Sequence, residues 1–140
     1  MSERLLVVDD DGAICQTFRS FFESAGFQVD TASSLHEAAQ RLASLSYAAV
    51  IADVCLTERG AEGLAIAAYV RQTRSDLPVL VLTAYGSPQK AEAAARVGAD
   101  AFFHKPVSLV WLERLLRARI AARRGEVEDE DVLGAVAAAG

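Results

Sequence analysis

Short apolar runs alternate along this chain with longer segments whose apolar residues recur every three or four positions. Leu5-Leu6-Val7-Val8 opens the series, within a strand predicted over 4–9. Ile14, Phe18, Phe21, Phe22 and Ala25 then form one stripe at helical spacing, predicting a helix from Gly12 to Ala25 that Gly26 stops. Phe27-Gln28-Val29-Asp30-Thr31 alternates, as a half-exposed strand does. Ser34-Leu35-His36-Glu37 has the form of a capping box and opens a helix to about Leu45, with Leu35, Ala38, Ala39 and Leu42 on its inner side. A strand over 48–53, a helix ending near Arg74, and a strand over 79–83 follow. Gly86-Ser87-Pro88 supplies a turn, a cap and a proline at the first helical position of an Ala-rich helix that ends near Gly98. A strand over 101–104 and a helix from Leu109 to about Arg123, capped by Ser108 and ended by Gly125, complete the pattern.

Strands and helices thus alternate with short connections. That order predicts an α/β domain with a doubly wound parallel sheet, a (βα)5 unit. The runs at 5–8, 49–52 and 79–82 are apolar throughout, as strands covered on both faces are. The second strand is the most polar and suits an edge. The expected arrangement is flavodoxin-like, with five strands in the order 2-1-3-4-5 and a ligand site at the carboxyl edge beside strand one. Residues 1–124 make this domain. Residues 125–140 carry the acidic run Glu126, Glu128, Asp129, Glu130 and Asp131 and an Ala-rich end, and are expected to be a tail or the start of a linker.

Composition narrows the function classes. The chain has 140 residues, 52% apolar and 24% charged, an ordinary globular balance with room for one core. No apolar run reaches the ~20 residues that span a bilayer, and Met1-Ser2-Glu3-Arg4 leads straight into a strand without a secretory signal, so a cytoplasmic, membrane-free protein is expected. Cys15 and Cys55 form neither a disulfide framework nor a zinc pattern. A net charge of −5 argues against direct nucleic-acid binding by this domain.

The candidate chemistry lies at the strand ends. Strand one runs into Asp9-Asp10-Asp11, strand three ends on Asp53, strand four on Thr83, and strand five leads to Lys105-Pro106. Acids, a hydroxyl and a lysine on one edge suit a divalent cation and a phosphoryl group. Asp11 reads as a helix cap, and Asp9 and Asp10 admit the same reading. Asp53 alone would be a turn residue, Thr83 a strand end and Lys105 a solvated loop lysine.

Taken together, Val7-Val8-Asp9-Asp10-Asp11, Asp53, Leu82-Thr83-Ala84 and His104-Lys105-Pro106 resemble the receiver domain of two-component response regulators, over roughly residues 3–123. The resemblance implies a bacterial phosphoprotein. By that resemblance Asp53 would be the phosphoacceptor, and Asp9, Asp10, Asp53 and the backbone carbonyl of Cys55 would bind Mg²⁺ or Mn²⁺. It likewise implies that Thr83 and Lys105 act on the phosphoryl group, that Thr83 and Phe102 form the switch, and that the Lys105–Pro106 bond is cis. Phe103 competes with Phe102 for the buried position. The partners implied are a sensor histidine kinase or phosphotransfer protein. A homodimer or effector contact is implied through the face made by the fourth helix, fifth strand and fifth helix. The domain would be no enzyme beyond self-catalysed phosphoryl transfer and autodephosphorylation.

The chain departs from the family pattern in places. Thr57 stands where a proline is usual, Glu62-Gly63 replaces an earlier Asp-Gly pair, and Cys55 is an uncommon neighbour of the site. Two other functions compete. Asp9-x-Asp11 resembles the nucleophile motif of haloacid-dehalogenase-like phosphatases, although Ala13 breaks that pattern. A phosphorylation-independent binding module on the same scaffold is the other.

Overall fold

The computed structural model describes residues 3–53, 61–74, 76–83, 88–104, 107–123 and 125, with the backbone alone at 53, 61–63, 90 and 104. Residues 1–106 and 107–140 form two compact units. The first holds β1 (Arg4–Val8), α1 (Gly12–Ser24), β2 (Gln28–Ala32), α2 (Leu35–Ser44), β3 (Ala49–Asp53), α3 (Ala61–Thr73), β4 (Val79–Thr83), α4 (Pro88–Arg96) and β5 (Ala101–His104). The second holds α5 (Leu109–Arg123).

The five strands form one parallel sheet in the order β2-β1-β3-β4-β5, as the sequence pattern predicts. Side-chain alternation divides its core. Leu6 and Val8, Val50 and Ala52, and Val79 and Val81 join Ala38 and Leu42 of α2 and Ile66, Ala67 and Val70 of α3 in one buried cluster. The alternate residues Leu5, Val7, Val29 and Ile51 point to the opposite face, where α1 lies on β1 and β2. Each such fully buried aliphatic side chain contributes about 1.5–3 kcal/mol.

Helix α1 is held chiefly by Phe22, which is fully buried and meets Phe21 at 5.1 Å and Phe27 at 5.8 Å, both edge to face. Its buried stripe is Cys15, Phe18 and Phe22, with Ile14, Phe21 and Ala25 at the margins. Gly26, at φ +102°, turns the chain out of the helix, and the Phe27 amide closes it on the Phe22 carbonyl at 2.9 Å. Ser34 caps α2 by accepting the Glu37 amide at 3.1 Å. The Glu37 carboxylate, predicted to reach back toward the cap, accepts the Ser33 hydroxyl at 3.0 Å.

In the middle of β2, Asp30 accepts from Arg4 at 2.9 Å and from the Tyr47 hydroxyl at 2.8 Å. Burial pushes the Asp30 carboxyl up, but these two hydrogen bonds and the Arg4 charge outweigh it and hold the group below the usual carboxylate range.

In the second unit, Ser108 caps α5 through the Trp111 amide at 3.2 Å, and Gly125 lies beyond its end at φ +76°. Leu112, Leu115, Leu116 and Ile120 are its buried residues.

Candidate functional site

The three aspartates after β1 have different environments. Asp11 is the cap of α1: its Oδ1 accepts the Ala13 amide at 2.9 Å and the Ile14 amide at 3.3 Å. Asp9 is buried, its Oδ1 accepts the Asp11 amide at 2.9 Å, and its own amide donates to the Ala32 carbonyl at 3.0 Å. Its carboxylate is thereby fixed at the end of β1. Asp10 between them is exposed. The cap reading therefore holds for Asp11, while Asp9 and Asp10 are left to the sheet edge.

Register brings the other candidates to that edge. Val8 pairs with Ala52, so Asp9 and Asp53 each stand one step beyond the same rung. Asp53 in turn pairs with Leu82, and Thr83 with His104. Thr83 is fully buried, an unusual setting for a hydroxyl at a strand terminus. Phe102 pairs with Val81 and packs against the α2–α3 side of the core, on the sheet face that Thr83 shares by alternation. Phe103 takes the other face, and both rings are half-buried. The Cys55 carbonyl, Lys105 and the Lys105–Pro106 bond, with Thr57 and the tail at 126–140, lie outside the described residues, as does the Asp53 side chain.

Beside Asp9 and Asp10 is a concavity of about 190 Å³, lined also by Gln16, Arg19, Ser33 and Glu37. At its base Cys15 donates its thiol to the Asp9 carbonyl at 3.3 Å. Burial, with the charge of Asp9 adding to it, pushes that thiol up and leaves it a poor nucleophile. Sequence reasoning treated Cys15 only as a reduced thiol. The available signal was its spacing from Phe18 and Phe22, which places it on the core stripe.

The described residues fit a hard divalent cation. Asp9 and Asp10 offer carboxylate oxygens from one rigid turn, one buried and one open to water, the mixture that Mg²⁺ prefers because it keeps several waters. Among the described residues there is no group of three or more metal-ligating side chains.

The description "response regulator receiver domain" matches residues 5–117. This chain belongs to the response regulator receiver family. The receiver is 37% identical over 137 residues to the response regulator MprA of Mycobacterium ulcerans, covering 98% of this chain and 57% of that one. It thus spans about half the length of the curated relatives it matches. A CheY-like receiver domain from Methanospirillum hungatei superposes with a TM-score of 0.83 at 24% identity, covering 91% of this chain and all of the other. A Burkholderia pseudomallei response regulator, solved with a phosphorylated aspartic acid, a calcium ion and citrate, gives 0.76 at 26% identity, covering 92% and 75% of the two chains. The family is a signalling one, and among the described residues of this receiver no helix is long and apolar enough to cross a membrane.

Proposed function

We propose that this receiver is a phosphoacceptor switch in which Asp53 takes a phosphoryl group from a phosphohistidine on a sensor kinase or phosphotransfer protein. The observation that carries the reading is the placing of Asp9 and Asp53 on the same step of the carboxyl edge, with the buried Thr83 ending the next strand. A carboxylate oxygen of Asp53 attacks phosphorus, the phosphorus–nitrogen bond breaks, and its electron pair leaves with the imidazole, which takes a proton to become neutral histidine. Asp9, Asp10, Asp53 and the Cys55 carbonyl would hold Mg²⁺, or Mn²⁺ in its place. When bound, the cation neutralises charge on the phosphoryl oxygens. Asp9 contributes without reorganising, because its Oδ1 is already held by the Asp11 amide. Lys105 supplies a second positive charge to the phosphoryl group, and the Thr83 hydroxyl donates to one of its oxygens.

Output follows from that last contact. A hydroxyl drawn toward the phosphoryl group vacates space on the sheet face shared with Phe102, and the ring moves into it. The result is a population shift between two packings of β4, α4 and β5. The switch works in the cytoplasm and passes its signal to a second copy, an effector or an attached domain. Incubation with Mg²⁺ and acetyl phosphate should add one acid-stable, hydroxylamine-labile phosphate. Labelling of Asp53→Asn to the wild-type extent would refute the assignment.

A further inference from the structure

Two arginines at the end of α3, Arg71 in its last turn and Arg74 just beyond it, reach two different helices. Arg74 donates through Nη2 to the carbonyl of Leu42, in the last turn of α2, at 3.0 Å. Arg71 donates to the carbonyl of Gly98, in the turn that closes α4, through Nε at 3.0 Å and Nη2 at 2.8 Å. Both guanidinium groups thus meet the carboxyl end of a neighbouring helix, where the last carbonyls and the helix dipole favour a cation.

Arg71 is tied in further. Its Nη2 also reaches Asp100 Oδ2 at 2.9 Å. The same carboxylate oxygen accepts the Val79 amide at 2.7 Å, and the Asp100 amide donates to the Val79 carbonyl at 2.9 Å. One guanidinium therefore joins α3, the α4–β5 turn and the first residue of β4. The turn is shaped around it: Gly98 sits at φ +93°, and a Cβ there would lie 2.8 Å from Arg71 Cγ. Both members of the Arg71–Asp100 pair are about three-quarters buried, so water screens the contact less than it does a surface ion pair.

This knot is at the wrong end of the sheet to touch the phosphoryl group. Val79 begins β4 and Thr83 ends it, about 13 Å away at 3.3 Å per residue. The switch must therefore move the carboxyl ends of β4 and β5 and the start of α4, while the far end of the same elements is held.

We propose that Arg71 is a positioning residue: it pins the α4–β5 turn so that displacement begun at Thr83 becomes a rotation of α4 about a fixed carboxyl end. The proposal rests on the switch reading above. A merely stabilising contact would change how tightly the domain folds. An anchor also decides where the response stops. Lysine is the weaker substitute, because one ammonium cannot reproduce the Nε contact to Gly98 together with the Nη2 contacts to Gly98 and Asp100 in a fixed plane.

The test uses the full chain with Mg²⁺ and beryllofluoride as the phosphoryl mimic, read by amide hydrogen exchange and amide chemical shifts. In the wild type, beryllofluoride should alter Thr83 and residues 88–92 and leave residues 97–100 unchanged. In Arg71→Ala the response should spread into 97–100, with beryllofluoride changing exchange there roughly tenfold. Arg71→Lys should behave like Arg71→Ala. If Arg71→Ala does not fold, Asp100→Asn serves instead: it keeps an oxygen for the Val79 amide, removes the charge that holds Arg71, and should show the same spread. A wild-type response as large at 97–100 as at 88–92 overturns the anchor, as does a folded variant whose response stays confined. No wild-type response anywhere overturns the switch reading and the anchor with it.

Discussion

Thr83→Ala and Thr83→Ser separate packing from signalling at one buried position. Thr83 is completely shielded from solvent. Removing its methyl group costs about 0.8 kcal/mol in transfer free energy, and the methyl-sized void adds a few tenths more. Removing the buried hydroxyl costs about a further 1 kcal/mol. Serine, which loses only the methyl, should therefore be destabilised by about 1 kcal/mol, and alanine by about 2 kcal/mol. Both changes are small against the ~5–15 kcal/mol that holds a domain of this kind together. Urea titration should give those losses with unchanged slopes, and melting should fall by about 3–5 °C per kcal/mol. Both variants should accept phosphate at Asp53. Only serine should preserve the beryllofluoride-induced shifts at Phe102 and in 88–92. The reasoning fails if alanine keeps those distant shifts, or if serine loses them as completely as alanine does.

Three further outcomes are expected. Mg²⁺ should raise the melting temperature by mass action, and Asp10→Ala should blunt that rise, as thermal denaturation with and without metal would show; an undiminished rise would exclude Asp10 as a ligand. Phe22→Ala should cost about 3–5 kcal/mol in urea unfolding because it empties the contact of α1 with Phe27, and a loss below about 1 kcal/mol would contradict that packing. Asp30 has a folded-state pKa below its unfolded one, so its contribution is present above about pH 4 and is lost as pH falls through the folded value. Tyr47→Phe should therefore lower stability at neutral pH and flatten its decline on acidification, whereas a variant whose stability tracks the wild type from about pH 6 down to about pH 2, across the ordinary carboxylate range, would remove Tyr47 from the network.

Much of the fold was legible because parallel strands covered on both faces must be apolar throughout. Val79–Leu82 has no other reading once Pro78 and Thr83 bound it. Several boundaries shifted by one residue, among them the start of β3 and the ends of α1 and β2, and for two others the reason lies in the hydrogen bonds. The Phe27 amide is used to close α1, so β2 starts at Gln28. The Asp9 amide adds one rung beyond β1, which itself ends at Val8. Of the aspartate triplet, the cap role of Asp11 was readable from its position before the helix, and the structure bears it out.

The rest depended on partners distant in sequence. Nothing local marks Arg71 as the residue that meets Gly98 and Asp100, since the contact exists only once α3 and the α4–β5 turn are packed side by side. Glu37 shows the limit of a local motif. Its cap spacing was right, but the neighbouring Ser33 hydroxyl is the group its carboxylate accepts from. The faces taken by Phe102 and Phe103 follow from register: pairing with Val81 puts Phe102 on the face that Thr83 shares and Phe103 on the other.

The central claim is that Asp53 carries the phosphoryl group, and chemical mapping tests it most directly. Borohydride reduces an acyl phosphate to an alcohol, so a phosphorylated aspartate becomes homoserine and can be located by peptide mass spectrometry. After acetyl phosphate and Mg²⁺, homoserine is predicted at position 53, and its yield should collapse when EDTA removes the metal. Homoserine at Asp9, Asp10 or any other aspartate with none at 53, or an undiminished yield in EDTA, would contradict the account.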